Sequence, residues 1–122
     1  RAADRSRYVL GIRTGDLSMA MTPEKKVKKK VVEELKKLGP ELYYFFPMTG
    51  GYGRSGVPDI IGCYRGMFFA IECKAGKNTT TALQDREIEA IRTAKGLVLI
   101  VNEENVSNVA LQIGIIWAWP DD

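Results

Sequence analysis

A chain of 122 residues and 13.6 kDa, 45% hydrophobic and 27% charged, is one domain's worth with a single modest core. It has no histidine, which excludes Ser-His-Asp and Cys-His hydrolysis and His-ligated metal centres, and its two cysteines make neither a disulfide framework nor a four-cysteine zinc site. The net charge of +3 is uneven, with +6 over residues 1–38 and −3 over the rest, a basic front that suits either a polyanion partner or a solvated lysine-rich helix face.

Residues 1–20 show no clean period and lack the apolar core of a secretory signal, so they read as a leader or added tail before a single domain over residues 21–122. No apolar run is long enough to span a membrane. A helix is expected to start with Thr22 as N-cap, Pro23 at the first helical position and Glu24 favourably set against the helix dipole. Val27, Val31, Leu35 and Leu38 follow at helical spacing, lysines cover the other faces, and Gly39-Pro40 ends the run. Glu24 lies on the apolar stripe, where an inward carboxylate needs a partner.

Leu42 to Phe46 reads as a strand, and Thr49 to Gly56 as a glycine-rich loop. Val57 to Cys63 and Met67 to Lys74 are two strands joined by a Tyr64-Arg65-Gly66 turn. A second helix is expected from Ala82 to Lys95, entered through Thr80 or Thr81 and stopped by Gly96. The wholly apolar run Leu97 to Val101 predicts a central strand buried on both faces. Asn105 to Ile113 predicts a short helix with Val106, Val109, Ala110 and Ile113 inward, and Ile115 to Trp119 a strand or packing tail. The core order is helix, three strands, helix, strand.

The hairpin carries the chemistry. A two-residue turn at Arg65-Gly66 sets Tyr64 opposite Met67, and therefore Asp59 opposite Glu72, with Cβ atoms about 5 Å apart on one face. Lys74 projects from the same face. A one-residue slip of the turn would separate the two carboxylates. Held that close, they repel by roughly 3 kcal/mol at an effective dielectric near 20. Protonation of one, an arginine partner or a bridging divalent cation each resolve this; the cation fits the geometry best, since Mg²⁺ takes carboxylate oxygens. A plain salt-bridge cluster fits poorly with the glycines before Asp59 and with an inward Glu24.

Ser55-Gly56-Val57-Pro58-Asp59, Ile71-Glu72-Cys73-Lys74 and the helix-opening Leu83-Gln84 resemble the PD-(D/E)xK nuclease signature and, within that superfamily, the VRR-NUC group. The likeness runs from Met21 onward. It implies an α/β, restriction-endonuclease-like αβββαβ core with a small mixed sheet flanked by helices. It implies that Asp59, Glu72 and the backbone carbonyl of Cys73 ligate Mg²⁺ or Mn²⁺, with Glu24 reaching the metal directly or through water. Lys74 would position or deprotonate the attacking water, and Gln84 would be the polar residue of the second helix. That residue also falls on the inward face with Ile88 and Ile91, with a backbone-bonded residue near a helix start as the alternative reading. The implied activity is metal-dependent DNA endonucleolysis, at four-way (Holliday) junctions or other branched DNA, by a homodimer in the cytoplasm of a bacterial or phage-infected cell. Restriction-type or strand-trimming cleavage, and a non-catalytic nucleic-acid-binding module, are the rival readings.

Gly51-x-Gly53-x-x-Gly56 is formally a dinucleotide fingerprint, but it leads into Pro58 and a strand rather than a helix, so that reading fails. Arg54 and Tyr52 in this loop are candidate DNA contacts by charge and stacking, as are Lys25 and Lys29 on the first helix. Cys63 and Cys73 read as packed thiols, and Trp117 and Trp119 as core or interface residues.

Overall fold

A computed structural model describes residues 21–48 and 53–118, with the side chains of 116–118 excepted. The proposed leader 1–20, Tyr52, Trp119 and the Trp117 side chain lie outside the described residues. Helix α1 (Pro23–Leu35) begins as its sequence predicts: the Thr22 hydroxyl accepts the Lys25 N–H and Pro23 needs no partner. Its last turn tightens into a 3-10 segment (Lys36–Glu41), which Gly39 breaks at φ 79° before Pro40. Four strands follow the order β1 (Leu42–Phe45), β2 (Ile60–Tyr64), β3 (Met67–Cys73), then helix α2 (Ala82–Thr93) and β4 (Leu97–Val101). A short 3-10 turn (Val106–Asn108) leads into helix α3 (Val109–Ala118), which occupies the place where Ile115 onward reads as a strand or tail.

The sheet order is β1-β2-β3-β4, antiparallel across the first two pairs and parallel between β3 and β4, with α2 as the crossover. Tyr64 pairs with Met67 and Ile60 with Ile71, so the hairpin register is the one the turn predicts. Arg65 and Gly66 both take positive φ, 50° and 89°, as a type I′ turn requires. On one face Val27, Val31 and Leu35 of α1, with Val109 and Ile113 of α3, pack over Ile60, Phe69, Ile71, Cys73 and Val101. On the other, Ile88 and Ile91 of α2 cover Ile61, Ala70 and Val98. Each helix thus sits on one side of a mixed sheet.

The expectation of β4 as the central strand is corrected: β4 is an edge, and β2 and β3 are central. Val98 and Val101 are buried by helices on opposite faces, so the strand is apolar without being flanked by strands on both sides. Ile100 is exposed. Within β2, a Cβ on Gly62 would lie 2.4 Å from Phe69 Cζ and 2.6 Å from the Tyr43 carbonyl oxygen. The Phe69 ring fills the space that a side chain would need. Gly62→Ala is therefore expected to cost about 2–3 kcal/mol by overpacking, lowering the thermal midpoint by about 10 °C in a calorimetric scan; an unchanged midpoint would show that the Phe69 ring moves freely.

Candidate active site

The site lies where four structural ends meet: the start of β2, the end of β3 and the N-termini of α1 and α2. Asp59 sits in a bend one residue before β2, not inside the longer strand that Val57 to Cys63 suggests. Its Oδ2 accepts the Cys73 N–H at 2.8 Å, which ties the first acidic residue to the strand carrying the second. Glu72 is 2% exposed on the penultimate residue of β3. Its Oε2 accepts the Gln84 amide at 2.9 Å and faces Lys74 Nζ at 3.4 Å. Burial, then the nearby Asp59 carboxylate, push the Glu72 carboxyl up to about 7, against the opposing pull of Lys74.

Lys74 is itself buried, just past β3. Its backbone N–H donates to the Val101 carbonyl at 2.9 Å, and two residues on Gly76 N–H donates to Glu103 Oε1 at 2.9 Å. The segment carrying the ammonium is held at both ends. The Gly76 bond lowers the Glu103 carboxyl from its ordinary value. Glu103 is missed by motif reasoning, because its role is a contact to a backbone 27 residues away.

Gln84 satisfies both sequence readings at once. Its Oε1 accepts the Thr81 N–H at 2.9 Å while the Thr81 hydroxyl accepts the Gln84 N–H, a capping box at the start of α2. Its amide nitrogen donates to Glu72. The same side chain closes the helix and orients the acid.

Glu24 is half-buried, as the stripe predicts, and lines a groove of about 170 Å³ with Thr22, Lys25, Lys28, Asp59 and Cys73. Lys25 thus stands at the groove, whereas Lys29 is an exposed residue that does not line it. Lys28 does, and sequence analysis passed over it; its only local signal is its place one turn after Glu24 on the inward side of α1. The Cys73 thiol is buried, and burial with the Asp59 and Glu72 charges pushes it up to about 12. It stays a neutral packed thiol, neither nucleophile nor soft-metal ligand.

The end of the glycine loop packs against α2. Gly56 has φ 80°, and a Cβ there would meet the Leu83 carbonyl oxygen at 2.4 Å. Glycine lets the loop lie on the first turn of α2. Arg54, a candidate DNA contact, forms a two-pronged pair with Glu87 on α2, with its Nη2 at 2.8 Å and Nε at 3.1 Å from the carboxylate oxygens. This bond holds the Glu87 carboxyl below the usual range. Loop and helix are pinned together directly before Asp59.

Among the described residues no three Cys, Asp or Glu side chains form a ready metal cluster. The donors that do converge are hard oxygens, a mutually repelling Asp59–Glu72 pair with Glu24 nearby. That chemistry fits Mg²⁺ or Mn²⁺, which accept carboxylate and carbonyl oxygen and keep waters in the remaining positions.

Against solved structures, a protein described as a VRR_NUC domain matches with a TM-score of 0.56 and 24% identity, over 80% of this chain and 97% of that one. The fold is that of a VRR_NUC domain. The Holliday junction resolvase Hjc of Archaeoglobus fulgidus aligns over 65% of this chain and 67% of its own, at 18% identity and a TM-score of 0.45. No family model matches the sequence. No curated protein matches it either. The VRR_NUC likeness confirms the restriction-endonuclease-like α/β core and its element order. Among the described residues no helix is long and apolar enough to cross a membrane.

Proposed function

We propose that this chain is a divalent-cation-dependent endodeoxyribonuclease that cuts branched DNA, with the four-way junction as its leading substrate. The observation that carries the reading is the convergence of Asp59, Glu72, Lys74 and Gln84 at one end of a VRR_NUC sheet. Asp59, Glu72 and the Cys73 carbonyl would hold Mg²⁺ or Mn²⁺, with Glu24 at the margin. The bound ion would polarise a phosphodiester oxygen and lower the pKa of water.

The protein's own groups divide the remaining work. Gln84 holds Glu72 Oε2 in one orientation, so the acid need not search rotamers when substrate arrives. Lys74 contacts the same oxygen and supplies a fixed positive charge against the negative charge that develops on the phosphate. The N-termini of α1 and α2 direct partial positive charge toward the same region. Paired cuts in two strands need two such sites, and a two-fold homodimer supplies them. Such an enzyme would act in the cytoplasm of a bacterial or phage-infected cell.

The test is cleavage of end-labelled four-way, flap, duplex and single-stranded substrates with Mg²⁺ and with chelator. Symmetric nicks near the branch point that vanish in chelator are expected. Equal cutting of every substrate would instead indicate restriction-type or trimming use, and binding without any cleavage would indicate a non-catalytic module.

A further inference from the structure

One feature of the groove stands apart from the acid–base cluster. Lys28 Nζ lies 4.6 Å from the centre of the Phe46 ring, over its face. Phe46 follows directly on β1, at the end of the sheet where Asp59 precedes β2, because Phe45 pairs with Ile61. The ring is 46% exposed, and Tyr44 braces it edge-on at 5.9 Å between centroids. Among the described residues Lys28 has no carboxylate within ion-pairing distance, although it lines the groove with Glu24 and Asp59. The groove is therefore lined by two acids and two lysines, with an aromatic face beneath one of the lysines.

The geometry points to Phe46 and Lys28 as a platform for one unstacked nucleobase and its adjoining phosphate, held next to the reacting bond. This rests on the nuclease reading, and it names what the site recognises: a strand with an unpaired or splayed base. An exposed ring that is already braced offers a stacking surface at little ordering cost. Lys28, without an ion-pair partner among the described residues, is placed to meet phosphate as a point charge. A continuous duplex keeps its bases stacked and gains only the lysine contact, so the platform favours junctions, flaps and single strands.

The test is a fluorescence titration with oligonucleotides carrying 2-aminopurine in an unpaired position or within a duplex, using the full chain in chelator. Quenching of the unpaired probe is expected, with affinity about tenfold above that for the duplex. Phe46→Ala and Phe46→Leu should each lose that preference, while Phe46→Trp retains it. Lys28→Met should weaken both probes. Because Phe46 is half-exposed, unchanged melting of the variants confirms that the loss is local. Wild-type binding and quenching by Phe46→Leu would overturn the proposal, since leucine covers the same surface without a π face. The readout is independent of cleavage: quenching without hydrolysis in Mg²⁺ would sink the nuclease reading and leave the platform standing, and hydrolysis without quenching would do the reverse.

Discussion

Asp59→Asn is expected to abolish cleavage, by about a thousandfold or more, while leaving the protein folded. Asparagine keeps a carbonyl oxygen that accepts the Cys73 N–H, so the link between the start of β2 and the end of β3 survives. What disappears is one full negative charge among the hard-oxygen donors. A thousandfold loss corresponds to about 4 kcal/mol of barrier, the scale expected for removing a metal ligand that stabilises transition-state charge. Single-turnover cleavage of a labelled junction, with circular dichroism on the same sample, checks both halves. Undiminished cleavage by the variant would remove Asp59 from the reaction.

Glu72→Gln is expected to move stability and activity in opposite directions. The Glu72 carboxyl is raised from 4.5 to about 7, chiefly by burial and then by the Asp59 charge, so the folded state holds this proton more tightly than the unfolded chain does. The sign follows from linkage. The favourable contribution is complete below pH 4.5 and is lost as pH rises through about 7, where ionising the buried acid opposes folding. Glutamine removes the ionisation while it can still accept from Gln84. The variant should therefore melt close to wild type near pH 4 and about 5–10 °C above it at pH 8, from a stabilisation of about 2 kcal/mol. Added Mg²⁺ should raise the wild-type midpoint at pH 8, in proportion to the logarithm of its concentration, and leave the variant unmoved. Cleavage by the variant should be lost. A variant that melts below wild type at pH 8 would show that the carboxylate is already compensated.

These two predictions rest on residues that were largely legible in the chain. The register that would set Asp59 opposite Glu72 needs only a two-residue turn at Arg65-Gly66, and the positive φ angles there and the Ile60–Ile71 pair match that register. Strong local signals also placed α1 and α2, since Thr22-Pro23 and Thr81 with Gln84 are caps whose partners lie within four residues. Sequence reasoning lost ground where a partner lies far along the chain. The Arg54–Glu87 pair could not be foreseen because nothing near Arg54 announces Glu87, 33 residues on. Gly56 was equally silent, since the neighbour that demands glycine is the Leu83 backbone. β4 looked central because hydrophobicity reports burial and not the identity of the covering element; helices on both faces give the same pattern as flanking strands. Lys28 was one lysine among seven in its helix region until the fold set the Phe46 ring beneath it.

The double bond-making of Gln84 carries a consequence for which amino acids its position tolerates. At the third residue of a capped helix, glutamate and glutamine ordinarily interchange, because either oxygen can accept the cap's N–H. Here the far side of the group must donate, and a carboxylate has nothing to give to Glu72. Glutamate at this point would serve the helix equally well and bring another negative charge against an acid that is already reluctant to ionise. The capping box alone accepts two residues at position 84, and the acid across the way reduces the choice to one.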